Sequence, residues 1–526
     1  MKIDEAIILA LGYKQEFKRE FSLMTTFAVS FSVLGLLPSI ASTMWYSLGY
    51  AGNAGLTWGW LVAMIGIQCV ANSLAEVSSA FPTSGGLYYA TAQLAPPKWA
   101  PFLSWCVGWS NWLVQITGAP SVDYGGACMI LALKSFSDPS FSATNGQTYL
   151  LTMALTTSNA FLSSMPTAWL AKFNTVGSIF NSVFLIIIFL MILGGDNRVS
   201  QGYSKFNDNS YAWGITNSTE WPDGVSVIMS FLAVIWTMSG YDSPFHLAEE
   251  CSNAQLLTPR LIVMTSSIGG IMGFVLQLAI AYTIVDVDAA VNDELGQPFV
   301  SYLAQCLSTK MVYAATSFTI ISSYFMGQLC QIALSRVTYA YSRDGCFPFS
   351  KYLKRTSSWD IPLNAVWANW FIGQLLLLLI FAGGTAIDAI FSVGAIASFI
   401  SFTTPVLLKI TYSRKTFRPG PWNLGVFSIP CGIIACSFVI MMIPFLLFPE
   451  YRGADNVPDS MNWTVVVYFG PMLMAIAWFG ISARKWFTGP KTNLSNDMVI
   501  DNDESLEVIE INYGPVSSTL VKDPEI

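Results

Sequence analysis

The chain has 526 residues, of which 53% are hydrophobic and 11% charged, with a formal net charge of −7. Soluble domains carry roughly 25% charged residues, so the composition excludes an ordinary soluble protein. The acidic balance argues against a nucleic-acid partner, and the nine cysteines, scattered without CxxC or zinc spacing, read as buried, inert thiols.

Apolar runs of roughly 20 residues recur along the chain, each long enough to cross a hydrocarbon core about 30 Å thick. They predict an all-α polytopic membrane protein with twelve transmembrane helices. The spans fall at 24–48, 56–80, 100–132, 148–166, 173–194, 225–247, 261–285, 311–333, 362–382, 387–408, 427–448 and 463–486. Residues 1–23 read as a cytoplasmic segment, with Lys14, Lys18 and Arg19 where a cleavable signal peptide would be apolar. Residues 24–486 form one membrane domain, and 487–526 an acidic cytoplasmic tail.

The first span is interrupted by Gly35-Leu-Leu-Pro38-Ser39-Ile40-Ala41-Ser42. Pro38 has no N–H for the carbonyl four residues back, and Gly35 relaxes the turn. Irregular backbone survives at membrane depth only where it is buried or lines a watery cavity. The second span carries Glu76 near its end, read as a gate or scaffold contact before a coupling site. The third is long enough to be tilted and holds Asp123, whose carboxylate either meets a substrate ammonium or holds a neighbouring helix. Tyr124 beside it either closes over a ligand or packs. The fourth is the weakest span, broken by Thr156, Thr157, Ser158 and Asn159.

The sixth span repeats the pattern of the first, at Thr237-Met-Ser239-Gly240-Tyr241-Asp242-Ser-Pro244-Phe-His246. If spans one to five and six to ten form inverted repeats, about 24–194 and 225–408, the two breaks occupy matching positions. That pairing is the sequence signature of a transporter binding site. Asp242 there recognises an amine, carries a proton or caps the helix that follows. His246, the chain's one histidine, serves either proton work or a satisfied structural contact. Trp236 and Tyr241 flank the break and offer a lid or a cation–π contact. Glu249 and Glu250 follow at the inner end of the span, as gate partners for Arg260 or Lys172. Arg336, Arg343 and Asp344 follow span eight as loop anchors, and Trp58, Trp60 and Trp463 read as interface belt.

Of the 25 Lys and Arg, five (Lys134, Arg198, Lys205, Lys310 and Arg452) fall in the outer loops when the N-terminus is placed in the cytoplasm, leaving 20 inside. That split places both termini in the cytoplasm. Of three Asn-x-Ser/Thr sequons, Asn217 and Asn462 are outer-loop glycosylation candidates, and Asn493 in the tail is not.

Four segments together, Gly35–Ser42, Ala75–Tyr89, Gly240–Glu250 and Ser342–Arg355, resemble the fungal GABA-permease and choline-transporter branch of the amino acid–polyamine–organocation superfamily. The likeness covers roughly residues 12–490, and Gly35–Ser42 and Ser121–Gly125 look most like the 4-aminobutyrate permeases within it. The resemblance implies a LeuT-type fold, a 5+5 inverted repeat with 427–486 as two extra helices. It also implies alternating access and proton-driven uptake of a small amine, with no cofactor. Sodium stays open as the coupling ion, because wider relatives bind it with span-one carbonyls and span-eight hydroxyls, and Ser322 and Ser323 lie in span eight. The chain departs from the pattern at Trp45 and Tyr46, where glycines are expected.

The expected function is therefore import of 4-aminobutyrate or a related amino acid, with Pro38 to Ser42, Asp123, Tyr124, Trp236 and Ser239 to Asp242 as substrate-binding candidates. A polyamine or choline transporter is the alternative, and would want more carboxylates or an aromatic cage. A nutrient sensor is third. An enzyme is disfavoured, since no nucleophile–base pair, metal cluster or phosphate loop is visible. The plasma membrane is the first expected location and the vacuolar membrane the second.

Overall fold

The computed structural model describes residues 23–83, 85–248, 251–293, 295–357, 359, 361–453 and 461–490. Glu249, Glu250, Asn493, most of the N-terminal segment and nearly all of the acidic tail lie outside the described residues. Among the described residues every regular element is helical.

The first predicted span is two helices, α1 (Leu23–Leu34) and α2 (Leu36–Ala51). A π-helical turn at Gly55–Gly59 leads into α3 (Trp60–Ala80), and α4 (Gly86–Leu94) is a short helix before the third span. The third to fifth spans are α5 (Ala100–Ser137), α6 (Asn145–Ser163) and α7 (Thr167–Gly194). The sixth is again divided, into α8 (Asp223–Met238) and the single turn α9 (Ser243–His246). Then come α10 (Ala254–Thr283), α11 (Thr309–Arg343), α12 (Leu363–Leu377, extended by a 3-10 turn to Ala382), α13 (Gly384–Ile410), α14 (Ser428–Phe445) and α15 (Thr464–Ile481).

Among the described residues nine helices are long and apolar enough to cross a membrane. The three other expected spans coincide with α5, α6 and α11, which are long but more polar. Their polarity has a structural cause, clearest in α6. Thr156 accepts from Gln374 Nε2 at 2.8 Å, Thr157 from Trp370 Nε1 at 3.0 Å, and the Ser158 and Tyr324 hydroxyls meet at 2.6 Å. On α5, Ser110 bonds Tyr468 at 3.0 Å, Asn111 donates to Tyr341 at 2.8 Å and Trp112 to Thr338 at 3.1 Å. Polar side chains that face other helices find partners there, although the Asn111 and Gln374 amide oxygens keep none among the described residues. The fourth span, weakest in the sequence, is therefore a regular helix, opened by a Thr144–Gln147 capping box.

Burial orders the bundle. The apolar window of α1–α2 is 82% buried and that of α13 is 83%, against 33% for α14 and 22% for α15. The broken helix and α13 are central, and the last two helices peripheral. The halves of the broken helices pair: α2 packs along α8, and α1 against α9. The Thr43 and Thr237 hydroxyls join the first of these pairs at 3.3 Å.

Several expectations change. The α11 helix runs ten residues past its expected end, so Arg336 and Arg343 belong to its last turns and Asp344 to its C-cap. Trp60 is 1% exposed and donates to the Gly270 carbonyl of α10 at 2.9 Å, so it is a core residue and not interface belt. Trp58 is 51% exposed and packs on Trp213. Arg198 is buried and donates to the carbonyls of Tyr282, Thr283 and Ile284, closing the C-terminal end of α10. Asn217 and Asn462 each use the side-chain amide within their own loop, donating to Trp221 O at 2.6 Å and Phe448 O at 2.8 Å.

Glu76 is buried at the end of α3. Lys409 Nζ of α13 lies 2.5 Å from its carboxylate, and Ser428 Oγ at the start of α14 donates to it at 2.6 Å. Phe417 covers the ammonium at 5.7 Å. Breaking one side of such a buried pair leaves an uncompensated charge. Glu76→Gln is expected to lower unfolding stability of the detergent-purified protein by about 3–5 kcal/mol, and Glu76→Gln/Lys409→Met to recover most of it. Equal denaturation midpoints for wild type and Glu76→Gln would contradict this role.

Candidate functional site

The first break falls at Gly35, in the left-handed conformation (φ 48°, ψ 56°), three residues ahead of Pro38. Pro38 is the third residue of α2, where a missing N–H is tolerated. Its lost bond would have gone to the Leu34 carbonyl. Ser39 Oγ supplies it instead, donating to Leu34 O at 2.9 Å. A Cβ on Gly35 would overlap the sulfur of Met326, which also lies 3.5 Å from Ser39 Oγ. Met326 of α11 thus closes over the first break.

The second break begins when α8 stops at Met238. Ser239 is extended (ψ 140°), its hydroxyl donating back to Trp236 O at 2.6 Å, and Gly240 has φ 110°. A side chain at 240 would be strained by that backbone and would sit 3.1 Å from Val33 Cγ1 of α1. The two breaks therefore touch through Val33 and Gly240.

Asp242 takes the N-cap position of α9 but makes no capping bond. Its Oδ2 lies 3.0 Å from His246 Nε2, both side chains being almost fully buried. The capping role is replaced by an Asp–His pair one helical turn apart. The other imidazole nitrogen has no partner among the described residues. Gly86, at φ 50°, brings the start of α4 against that edge of the ring.

A cavity of about 50 Å³ lies where the breaks meet. Val33 lines it from α1, Trp236, Ser239, Gly240, Asp242 and Ser243 from the second break, and Gln115, Gly118 and Val122 from α5. Met326 and Cys330 of α11 and Gly394 of α13 complete it. Among the described residues Asp242 is the one carboxylate in this lining, and no Lys, Arg or His belongs to it. Small-molecule pockets are typically roughly 300–1,000 Å³, so this conformation is closed around the site.

The other sequence candidates lie around this cavity. Ile40 and Ala41 are buried in α2, and Gln297 Nε2 donates to the Ala41 carbonyl at 3.0 Å. Ser42 is half-buried and packs against Gly125 of α5, where a Cβ would overlap its hydroxyl. Trp236 packs on Phe391, ring centroids 5.0 Å apart, whereas Tyr241 turns away against Phe402 at 5.6 Å. Asp123 sits on the adjacent face of α5. It accepts from Asn159 Nδ2 at 2.9 and 3.1 Å and borders a separate crevice of about 340 Å³ with Leu155, Phe173 and Tyr324. Tyr124 lies on the side of α5 nearer Tyr46 and Asp388. Ser323 Oγ donates to Val122 O at 3.1 Å, and the buried Ser322 hydroxyl has no partner among the described residues. The structure thus gathers Trp236, Ser239, Gly240 and Asp242 at one cavity, with Ser39 just behind Met326. It does not bring Asp123 to them.

Sequence reasoning missed Lys409, Asn159, Gln297 and Asp388. Asp388 and Lys409 lie in and at the edge of an expected span, so the criterion that singled out Asp123 applied to them equally. Asn159 and Gln297 carry no such signal, because an amide's partner is fixed only by helix packing.

Residues 21–471 match the family model described as amino acid permease. The chain is 55% identical to an uncharacterized amino-acid permease of Schizosaccharomyces pombe, over 99% of this chain and 96% of the relative. It is 53% identical to a Candida albicans protein provisionally named a polyamine transporter, over 98% and 95%. It is 32% identical to the GABA-specific permease of Saccharomyces cerevisiae, over 94% and 87%. The chain belongs to the amino acid permease family, and is an integral membrane protein of a transporter class rather than an enzyme.

Because Gly240 joins the two breaks in a conformation open to glycine, Gly240→Ala should strain the site by about 1–3 kcal/mol. Uptake of the transported solute is expected to fall at least roughly tenfold with surface expression retained. Wild-type uptake by that variant would show that the φ 110° turn is dispensable.

Proposed function

We propose that the chain is a secondary active transporter that imports a small amine-bearing solute by proton-driven alternating access. Its framework is read as twelve spans in a LeuT-type arrangement, two inverted repeats plus α14 and α15. The matched breaks, the pairing of α2 with α8 and of α1 with α9, and the peripheral burial of the last two helices support this reading. The N-terminus is assigned to the cytoplasm on the distribution of Lys and Arg, so the C-terminal ends of α2 and α5 face outward. The plasma membrane is the proposed location.

The observation that carries the reading is Asp242, the one carboxylate among the described residues that line the cavity between the broken helices. An ammonium entering there meets Asp242 on a carboxylate already shared with His246. Import driven by an inward proton gradient needs proton and amine bound at the same time, and the Asp242–His246 pair offers two adjoining polar groups for them. The helix N-terminus of α2 offers its first amides for a substrate carboxylate, which keeps 4-aminobutyrate and related amino acids as substrates to test. A purely cationic amine, a polyamine above all, is favoured by the lack of any cationic side chain among the described residues of the cavity lining. The name of the Candida albicans relative points the same way.

The deciding measurement is uptake of labelled spermidine, putrescine, 4-aminobutyrate, choline and lysine in a transporter-deficient yeast, with and without a protonophore. Polyamine uptake that collapses with the protonophore and is lost in Asp242→Asn is the expected result. Absence of uptake of every amine from surface-expressed protein would refute the proposal.

A further inference from the structure

We propose a second amine-binding site at the outward end of the bundle, where Asp388 and Glu450 with Tyr46, Tyr50 and Tyr124 receive an alkylammonium group on its way to the cavity. The site rests on the reading of the cavity as an amine site, and it assigns the substrate class as a linear cation with two or more ammonium groups.

Asp388 lies in the first turn and a half of α13, and Glu450 follows α14. Both are half-buried, and the charge of Glu450 reaches Asp388. Neither forms an ion pair with a Lys, Arg or His among the described residues. Arg452, two residues from Glu450, is instead directed at Trp221, 5.7 Å from the ring centroid. Two neighbouring carboxylates without a counterion destabilise each other, and a cation between them relieves both. Burial alone pushes the Glu450 carboxyl up to about 7.

An independent feature comes from the tyrosines. Tyr50 is 4% exposed, yet its hydroxyl has no hydrogen-bond partner among the described residues, and its nearest charged groups are Glu450 and Asp388. A phenol on a mostly buried ring, without a hydrogen bond and within reach of two carboxylates, is a donor and acceptor open to a third group. Tyr46 reaches the Asp388 carbonyl at 3.4 Å, and the charge of Asp388 also reaches Tyr124. Trp45 packs edge-on against Tyr46 and Tyr50 at 5.7 and 5.4 Å.

These rings also lead inward. Tyr50 and Tyr46 lie 6.2 Å apart, Tyr46 and Phe391 6.1 Å, and Phe391 and Trp236 5.0 Å. Trp236 lines the central cavity. The ladder runs from the outer carboxylates to Asp242 over aromatic faces, which attract ammonium groups and pack against methylene chains. A zwitterion brings a carboxylate that the outer pair repels. A polyamine brings only positive charge, and is steered by the field of both acids.

Two measurements test the site. In uptake, Asp388→Asn/Glu450→Gln is expected to raise the KM for spermidine about tenfold with Vmax within about twofold, and to leave the salt dependence of KM flattened. Tyr50→Phe, which keeps the ring, should raise KM about threefold. In calorimetry with purified protein, Asp242→Asn should still bind one spermidine, and adding Asp388→Asn/Glu450→Gln should abolish that binding. An Asp242→Asn protein that binds no spermidine, or an unchanged KM in the surface-expressed double variant, would overturn the outer site. Wild type that transports no amine, while Asp242→Asn protein binds spermidine through Asp388 and Glu450, would refute the transport reading and leave the outer site standing.

Discussion

A carbonyl freed in the middle of a membrane has no water to turn to. An unsatisfied backbone group in hydrocarbon costs several kcal/mol, so each interruption of a spanning helix has to be repaired by the protein itself. The Leu34 carbonyl, released by Pro38, is taken by Ser39 Oγ at 2.9 Å. The turn after α8 closes on the Trp236 carbonyl, which accepts from both the amide and the hydroxyl of Ser239, at 3.1 and 2.6 Å. With these local repairs made, the breaks are free to face each other without depending on the substrate for their stability. The cavity, the Asp242–His246 pair and the closure by Met326 all depend on that arrangement.

The same repairs explain why the site is small. Met326 lies over Gly35, Val33 over Gly240, and about 50 Å³ is left between them. A solute of several carbons enters only if helices move apart. The Glu76–Lys409–Ser428 cluster fastens α3, α13 and α14 together at one end of the bundle. The α1–α9 and α2–α8 pairs carry no ion pair among the described residues, and their contacts include the Thr43–Thr237 hydroxyls and the aliphatic approach of Val33 to Gly240. Motion is easier between surfaces joined by weak contacts than across a buried charge pair.

Much of this is legible in the residues. Both breaks are visible, because Gly, Pro and Ser clustered inside an apolar run contribute little to a continuous membrane helix. The positions of the expected spans follow the helices closely, since apolar length is set by the bilayer. The side chains' partners are not legible. Asp242 reads as a helix cap by position, yet one turn later His246 claims its carboxylate. Asp123 shares its residue type and its burial, but its phase on α5 turns it toward Asn159 and away from the cavity. Trp60 and Trp58 are two residues apart in a run of similar composition, and only packing sends one to the core and the other to the surface. Sequence pattern gives the period of a helix more readily than the phase in which it meets its neighbours.

The polar seams of α5 and α6 impose a schedule on assembly. Asn111 waits for Tyr341, 230 residues later in the chain, and Thr156 for Gln374, 218 residues later. At a synthesis rate of about 5–20 residues per second, these groups sit without their partners for roughly ten to forty seconds. During that interval two of the three more polar spans are present in or beside the membrane while their partners are still unmade. Their final placement is thus an event of late synthesis, and the nascent chain passes through a period of dependence on lipid headgroups, water or an insertion chaperone that the finished bundle no longer shows.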